Sequence, residues 1–194
     1  NYIDNTSVDP VNDFLLSLNT ASTYGSGNER GLEMSYQATN PAGSGYNHNF
    51  IRQNAYLALI FLSDEPDHSH RSINFYTSHF ENLKQDKSMV IAHSIIGDYP
   101  SGCGSWGSLN ADFGSGYYEF VNYFGGVNFS ICATDWGLQM QNLAFNTANW
   151  GGFILQESPI EGTIEVYIDG IFTTEWIYDE AENKIIFNAN LTLQ

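Results

Sequence analysis

Basic residues are what this chain most conspicuously lacks. Six Lys+Arg stand against 22 Asp+Glu in 194 residues, a formal charge of -16. Such a surface repels nucleic acid and anionic membranes and suits cations or basic partners. Cysteine is nearly as rare. Cys103 and Cys132 are the only two, and their spacing matches no zinc cluster, so they form either a disulfide or two free thiols. A bridge would close a loop of roughly 30 residues and contribute about 3 to 4 kcal/mol on the chain-entropy model. Gly102, Gly104, Gly107, Gly114 and Gly116 make that loop one that needs a staple. A disulfide in an oxidising compartment is therefore the expectation. No run is long and apolar enough to read as a membrane span, and nothing reads as a signal peptide. Repeats and low-complexity tracts are absent too. No G-x-S-x-G stands at a strand-to-helix turn, so the nucleophile elbow of a hydrolase is missing.

What is present is a core-forming composition, 42% hydrophobic and 15% aromatic, enough for one sizeable core with a small appended module. Its most informative stretch is 56–71, YLALIFLSDEPDHSHR. The unbroken apolar run 57–62 has no polar alternation and predicts a strand buried on both faces of a parallel sheet. At its carboxyl end the composition flips to Ser63, Asp64, Glu65, Asp67, His68, Ser69 and His70. Open α/β sheets place their ligands at that end of their strands.

Around this strand the chain alternates. Asp9-Pro10 followed by Val11, Phe14, Leu15 and Leu18 predicts a capped amphipathic helix. Good helix formers over 29–39 predict a second. A crossover helix is expected over 72–86, then a strand at 89–96, a Gly-rich loop with Cys103, a helix at 117–123, a strand at 127–132 and a helix at 135–149. This order implies a parallel sheet with right-handed crossovers. From Gly152 the pattern becomes short β runs at 153–156, 163–168, 172–178 and 184–190, with Asp169-Gly170 and Glu182-Asn183 at turns.

The run LALIFLSDE, preceded by GNERGLE opening a helix and followed by two further strand-helix units, resembles the C-terminal half of a von Willebrand factor A-type domain. It is most similar to the bacterial secreted or surface-anchored branch with a C-terminal β extension. The resemblance implies an open, mostly parallel Rossmann-like sheet with helices on both faces over 1–151, and a small antiparallel β appendage over 152–194. It also implies a divalent cation, Mg²⁺ or Ca²⁺, at the carboxyl end of the sheet, with Asp64 as the third-loop ligand. In the second loop the family commonly has Thr, and this chain reads Ser26-Gly27-Asn28-Glu29, so Glu29 or Ser26 would contribute. The family's first loop, D-x-S-x-S, has no counterpart. A preceding segment or a partner chain is therefore expected to supply it and to cover the edge of strand 57–62, since an open apolar edge is an aggregation template.

Hard oxygen donors suit these cations, and Glu65 and Asp67 are further candidates for direct or water-mediated contact. The competing reading makes Asp67 and Ser69 helix caps for the segment from Ser72. His68 and His70 could form a zinc pair with His48, His79 or His93, but without Cys or a clear fourth ligand they read as surface histidines within reach of a bound ligand. Ser63 or Ser69 beside His68 and Asp64 would be needed for a metal-dependent hydrolase. Trp106, Tyr117, Tyr118, Trp136, Trp150 and Trp176 could stack on carbohydrate, yet such rings more often pack. The expectation is a non-enzymatic adhesion or assembly module at the cell surface, in the periplasm or outside the cell, taking a protein or glycan ligand. Its alternative is a structural subunit that keeps the fold without the metal.

Overall fold

The computed structural model describes Ile3, 6–20, 27–40, Asn47, 50–104, 110–148, 152–160, 162–168 and 170–187. Helix α1 (Pro10–Thr20) starts where Asp9 accepts the Asn12 N–H at 3.0 Å, the capping role expected of it. Its described apolar side chains are open to solvent. Val11, Phe14, Leu15 and Leu16 are each half-exposed or more. Helix α2 (Gly31–Thr39) leads to β1 (Leu57–Leu62), α3 (Ile73–Lys84) and β2 (Val90–Ile96). Helix α4 (Tyr117–Tyr123), β3 (Asn128–Ser130) and α5 (Trp136–Ala148) complete the alternating part.

The three strands form one parallel sheet in the order β1-β2-β3, with Leu57 opposite Val90 and Ser94 opposite Asn128. Side chains alternate along a strand, so Phe61, Val90, Ala92 and Ile96 share one face. On it they pack into a single cluster with Leu32 of α2, Tyr76, Phe80 and Leu83 of α3, Phe120 and Val121 of α4, and Phe124 just past its end. Every residue of β2 is buried, which makes β2 the central strand.

Strand β1 corrects the expectation of burial on both faces. Among the described residues it pairs with β2 alone, and on its second face Ala58, Ile60 and Leu62 are exposed, Ile60 at 51% and Leu62 at 63%. An unbroken apolar run shows that both faces shun water, but not that this chain covers both. On the same face of β2, Ile91, His93 and Ile95 are buried. Before β1, the ammonium of buried Lys84 donates to the carbonyls of Arg52, Gln53 and Ala55, holding the strand's entry in place.

The expected third strand is shorter than 127–132, because Ser130 Oγ accepts the Cys132 N–H at 3.2 Å and turns the chain. Cys103 and Cys132 are disulfide-bonded with Cα atoms 6.1 Å apart, tying the loop after β2 to the loop after β3. The last unit consists of β4 (Phe153–Ile154), β5 (Val166–Ile168), β6 (Ile171–Thr173), β7 (Trp176–Asp179) and β8 (Lys184–Phe187). Its antiparallel pairs are a β4-β8-β7 sheet and a β5-β6 hairpin. The run 172–178 divides between them, because Thr173 Oγ1 accepts the Glu175 N–H at 3.1 Å and bends the backbone. Gly170 takes the left-handed conformation at its turn; Asp169 and the end of the 184–190 run fall outside the described residues. The fold is thus mixed α/β, a three-stranded parallel sheet with helices plus small antiparallel sheets.

Candidate functional site

At the carboxyl end of β1 the chain leaves the sheet at Ser63, whose N–H still donates to Ile95 O at 3.2 Å. Three segments meet there. Glu29 O accepts the His68 N–H at 2.6 Å, Ser115 O accepts the Asp67 N–H at 2.8 Å, and Asp64 O accepts the Asp112 N–H at 2.8 Å. The loop after β1 is thereby laced to the approach to α2 and to the approach to α4.

Within this junction the buried Ser63 hydroxyl donates to the Glu29 carboxylate and accepts the Glu65 N–H at 3.1 Å. Asp64 is exposed, while Glu29, Glu65 and Asp67 are half-buried. Glu29 is therefore brought to the Ser63-Asp64-Glu65 turn, whereas Ser26 lies outside the described residues. The Ser63 hydroxyl is bonded to the Glu29 carboxylate and the Ser69 hydroxyl to Asp67 Oδ1.

Asp67 has a different job. Its Oδ1 accepts the Leu32 N–H at 3.2 Å and the Ser69 hydroxyl at 2.9 Å, and its Oδ2 accepts the Ser69 N–H at 3.2 Å. Ser69 Oγ accepts the Glu33 N–H at 2.9 Å, and Tyr117 OH accepts the Gly31 N–H at 3.0 Å. The first three amides of α2 are thus capped from two other segments, and a carboxylate faces the positive end of the helix dipole. Asp67 and Ser69 are caps, but of α2; α3 is capped by Ser72, whose hydroxyl accepts the Phe75 N–H at 3.3 Å. Gly116, at φ 90°, permits this contact, since a Cβ there would stand 2.7 Å from Asp67 Cβ.

Beneath the caps lies an ion pair. The Glu33 carboxylate, 4% exposed, takes the Arg71 guanidinium, Tyr76 OH at 2.8 Å and Gln37 Nε2 at 3.0 Å, with His70 Nε2 at 3.8 Å. The hydrogen bond from Arg71, against the opposing effect of burial, lowers its pKa to about 2. Arg71 also lies over the rings of Tyr36 and Phe75, 5.0 and 4.7 Å from their centroids. Burial pushes Tyr117 up to about 12, so it stays a neutral phenol beside Ser63.

The histidines do not gather. His68 and His70 are exposed on the loop, His79 of α3 bonds Thr39 Oγ1 at 3.0 Å, and His93 of β2 takes the Val127 N–H on Nδ1 at 3.1 Å. Burial lowers the pKa of both His79 and His93. His48 lies outside the described residues. Among the described residues no group of three or more His, Cys, Asp or Glu is placed to hold a metal ion.

Glu33, Arg71 and the role of Tyr117 escaped sequence reasoning. One signal pointed to them: Arg30, which has no acceptor to offer, stands at the N-cap of α2, so the cap had to come from elsewhere. Comparison with protein-family models, with curated proteins and with solved structures finds no match to this chain.

Proposed function

We propose that this chain is a von Willebrand A-like recognition module, secreted or displayed at a bacterial cell surface, that binds a protein or glycan ligand with the carboxyl end of its parallel sheet. The observation that carries the reading is the junction itself: β1 ends in Ser63-Asp64-Glu65, and Glu29 is drawn to the same turn by the Ser63 hydroxyl. A divalent cation there would be held by exposed Asp64 with Glu29 or Glu65 and water, leaving a position for an acidic group of the ligand; His68 and His70 stand exposed on the same loop. Among the described residues β1 pairs on one side only and Ile60 and Leu62 face solvent, and a preceding segment or a partner chain would cover this edge and complete a larger doubly wound sheet. No catalytic step is assigned.

A metal-free structural role in an extracellular assembly is the second reading, favoured by one observation. The carboxylate of Asp67 is committed to capping α2 and is not free to bind a cation. Mn²⁺ titration of the protein, followed by electron paramagnetic resonance, separates the two. One saturable site lost in Asp64→Ala and weakened in Glu29→Gln is the expected result. Loss of Mn²⁺ from solution that is absent, or equal in wild type and Asp64→Ala, overturns the cation-dependent reading in favour of the structural one.

A further inference from the structure

Beyond β2 the chain forms a second surface at the same end of the sheet. Gly97 bridges to Phe113, Gly102 N–H donates to Asp98 O at 2.7 Å, and Cys103 bridges to Ala111 beside its disulfide. These contacts fix three rings. Tyr99 stacks on Tyr118 with centroids 5.1 Å apart and planes at 16°, and Phe113 meets both edge-on at 5.4 Å. Tyr99 is nonetheless 66% exposed. An aromatic ring held rigidly by its neighbours and still open to water adds little to the core and a good deal to contact with something else.

The chemistry around the platform selects its occupant. Asp98 and Asp112 adjoin Tyr99 and Phe113 in sequence and are exposed, and the Asp112 N–H is anchored on the carbonyl of Asp64. Four of the chain's six Lys and Arg residues are engaged elsewhere: Arg71 on Glu33, Lys84 on backbone carbonyls, Lys87 over Tyr123 at 3.8 Å and Lys184 near Glu182. Among the described residues no cation lies over Tyr99. We propose that Tyr99, supported by Tyr118 and Phe113 and flanked by Asp98 and Asp112, receives an arginine side chain of a partner protein. A planar guanidinium stacks on an aromatic ring and pairs with carboxylates through a fork of N–H groups, a combination that an ammonium matches poorly. The proposal rests on the carboxyl end of the sheet being the recognition face, but not on a cation being there.

The test is a titration of the ¹⁵N-labelled protein with acetyl-Gly-Arg-Gly-amide, its citrulline counterpart and a neutral trisaccharide, in EDTA and again in Mg²⁺. Saturable shifts at the amides of Asp98, Tyr99, Asp112, Phe113 and Tyr118 with the arginine peptide, and none with citrulline, are expected in both buffers. Tyr99→Leu should weaken binding about fivefold and Tyr99→Phe should retain it, because the ring and not its hydroxyl carries the contact. Shifts scattered over the acidic surface, an undiminished Tyr99→Leu, a response to the trisaccharide instead, or no response at all would each overturn the proposal. Persistence in EDTA together with absent Mn²⁺ binding would sink the cation reading of Asp64 and leave this one standing.

Discussion

Replacing Asp67 with alanine is the sharpest probe of how this junction is built. The change removes three hydrogen bonds to a carboxylate, leaves the N–H of fully buried Leu32 without its acceptor, and strips negative charge from the head of α2. Loss of an N-cap costs about 0.5 to 2 kcal/mol, and leaving a buried donor unsatisfied about 1 to 3 kcal/mol. These overlap, so about 2 to 3 kcal/mol is the expected destabilisation. In a domain of this size that is a fall of about 5 to 10 °C in Tm. Asp67→Asn, which keeps an acceptor but not the charge, should recover roughly half. Urea and thermal unfolding by near-ultraviolet circular dichroism measure both, with and without EDTA. A cap loses the same stability in either buffer, whereas a metal ligand would show its loss only with the cation present. A destabilisation under about 0.5 kcal/mol, or one confined to cation-containing buffer, would refute the capping argument.

The Glu33 carboxyl, held at about 2 in the folded protein against an ordinary 4.5, gives stability that is fully present above pH 4.5 and lost as pH falls from there toward 2; Arg71→Met should flatten the urea midpoint across that window. A shallower loss should begin below about pH 6.5, where unfolded imidazoles protonate but half-buried His79 and buried His93 resist, and His79→Gln should reduce it. Reducing the Cys103–Cys132 bridge, or replacing both residues with serine, should cost about 3 to 4 kcal/mol in denaturant titrations. Ile60→Lys should leave stability within about 0.5 kcal/mol, and any concentration-dependent association seen in sedimentation velocity should be weaker in this variant, because Ile60 faces solvent on a strand that, among the described residues, is paired on one side only.

The order of elements was legible because each rests on a local pattern: Asp9-Pro10 for α1, the apolar runs for β1 and β2, and the period of Tyr76, Phe80 and Leu83 for α3. Strand ends were not, since Thr173 and Ser130 stop their strands with side-chain hydrogen bonds that apolar periodicity does not register. The exposed face of β1 escaped for another reason. Hydrophobicity reports what a residue avoids, and Ile60 and Leu62 are as apolar exposed as they would be covered. At the junction, acidic composition marked the loop after β1 and gave every carboxylate in it the same weight. Only tertiary contacts separate Asp67, bound to helix amides, from Asp64, which faces water, and only they bring Glu33 to Arg71 across 38 positions.

Helix α2 borrows its start from chain that comes later. Its leading amides are met by side chains 35, 36 and 86 residues further along. As synthesis proceeds, the leading amides of Gly31–Thr39 have only water to bond until Asp67 and Ser69 emerge, and Gly31 waits for Tyr117. A fragment ending before that tyrosine should show this helix frayed at its leading end, so the junction at the sheet's carboxyl edge is assembled late and all together.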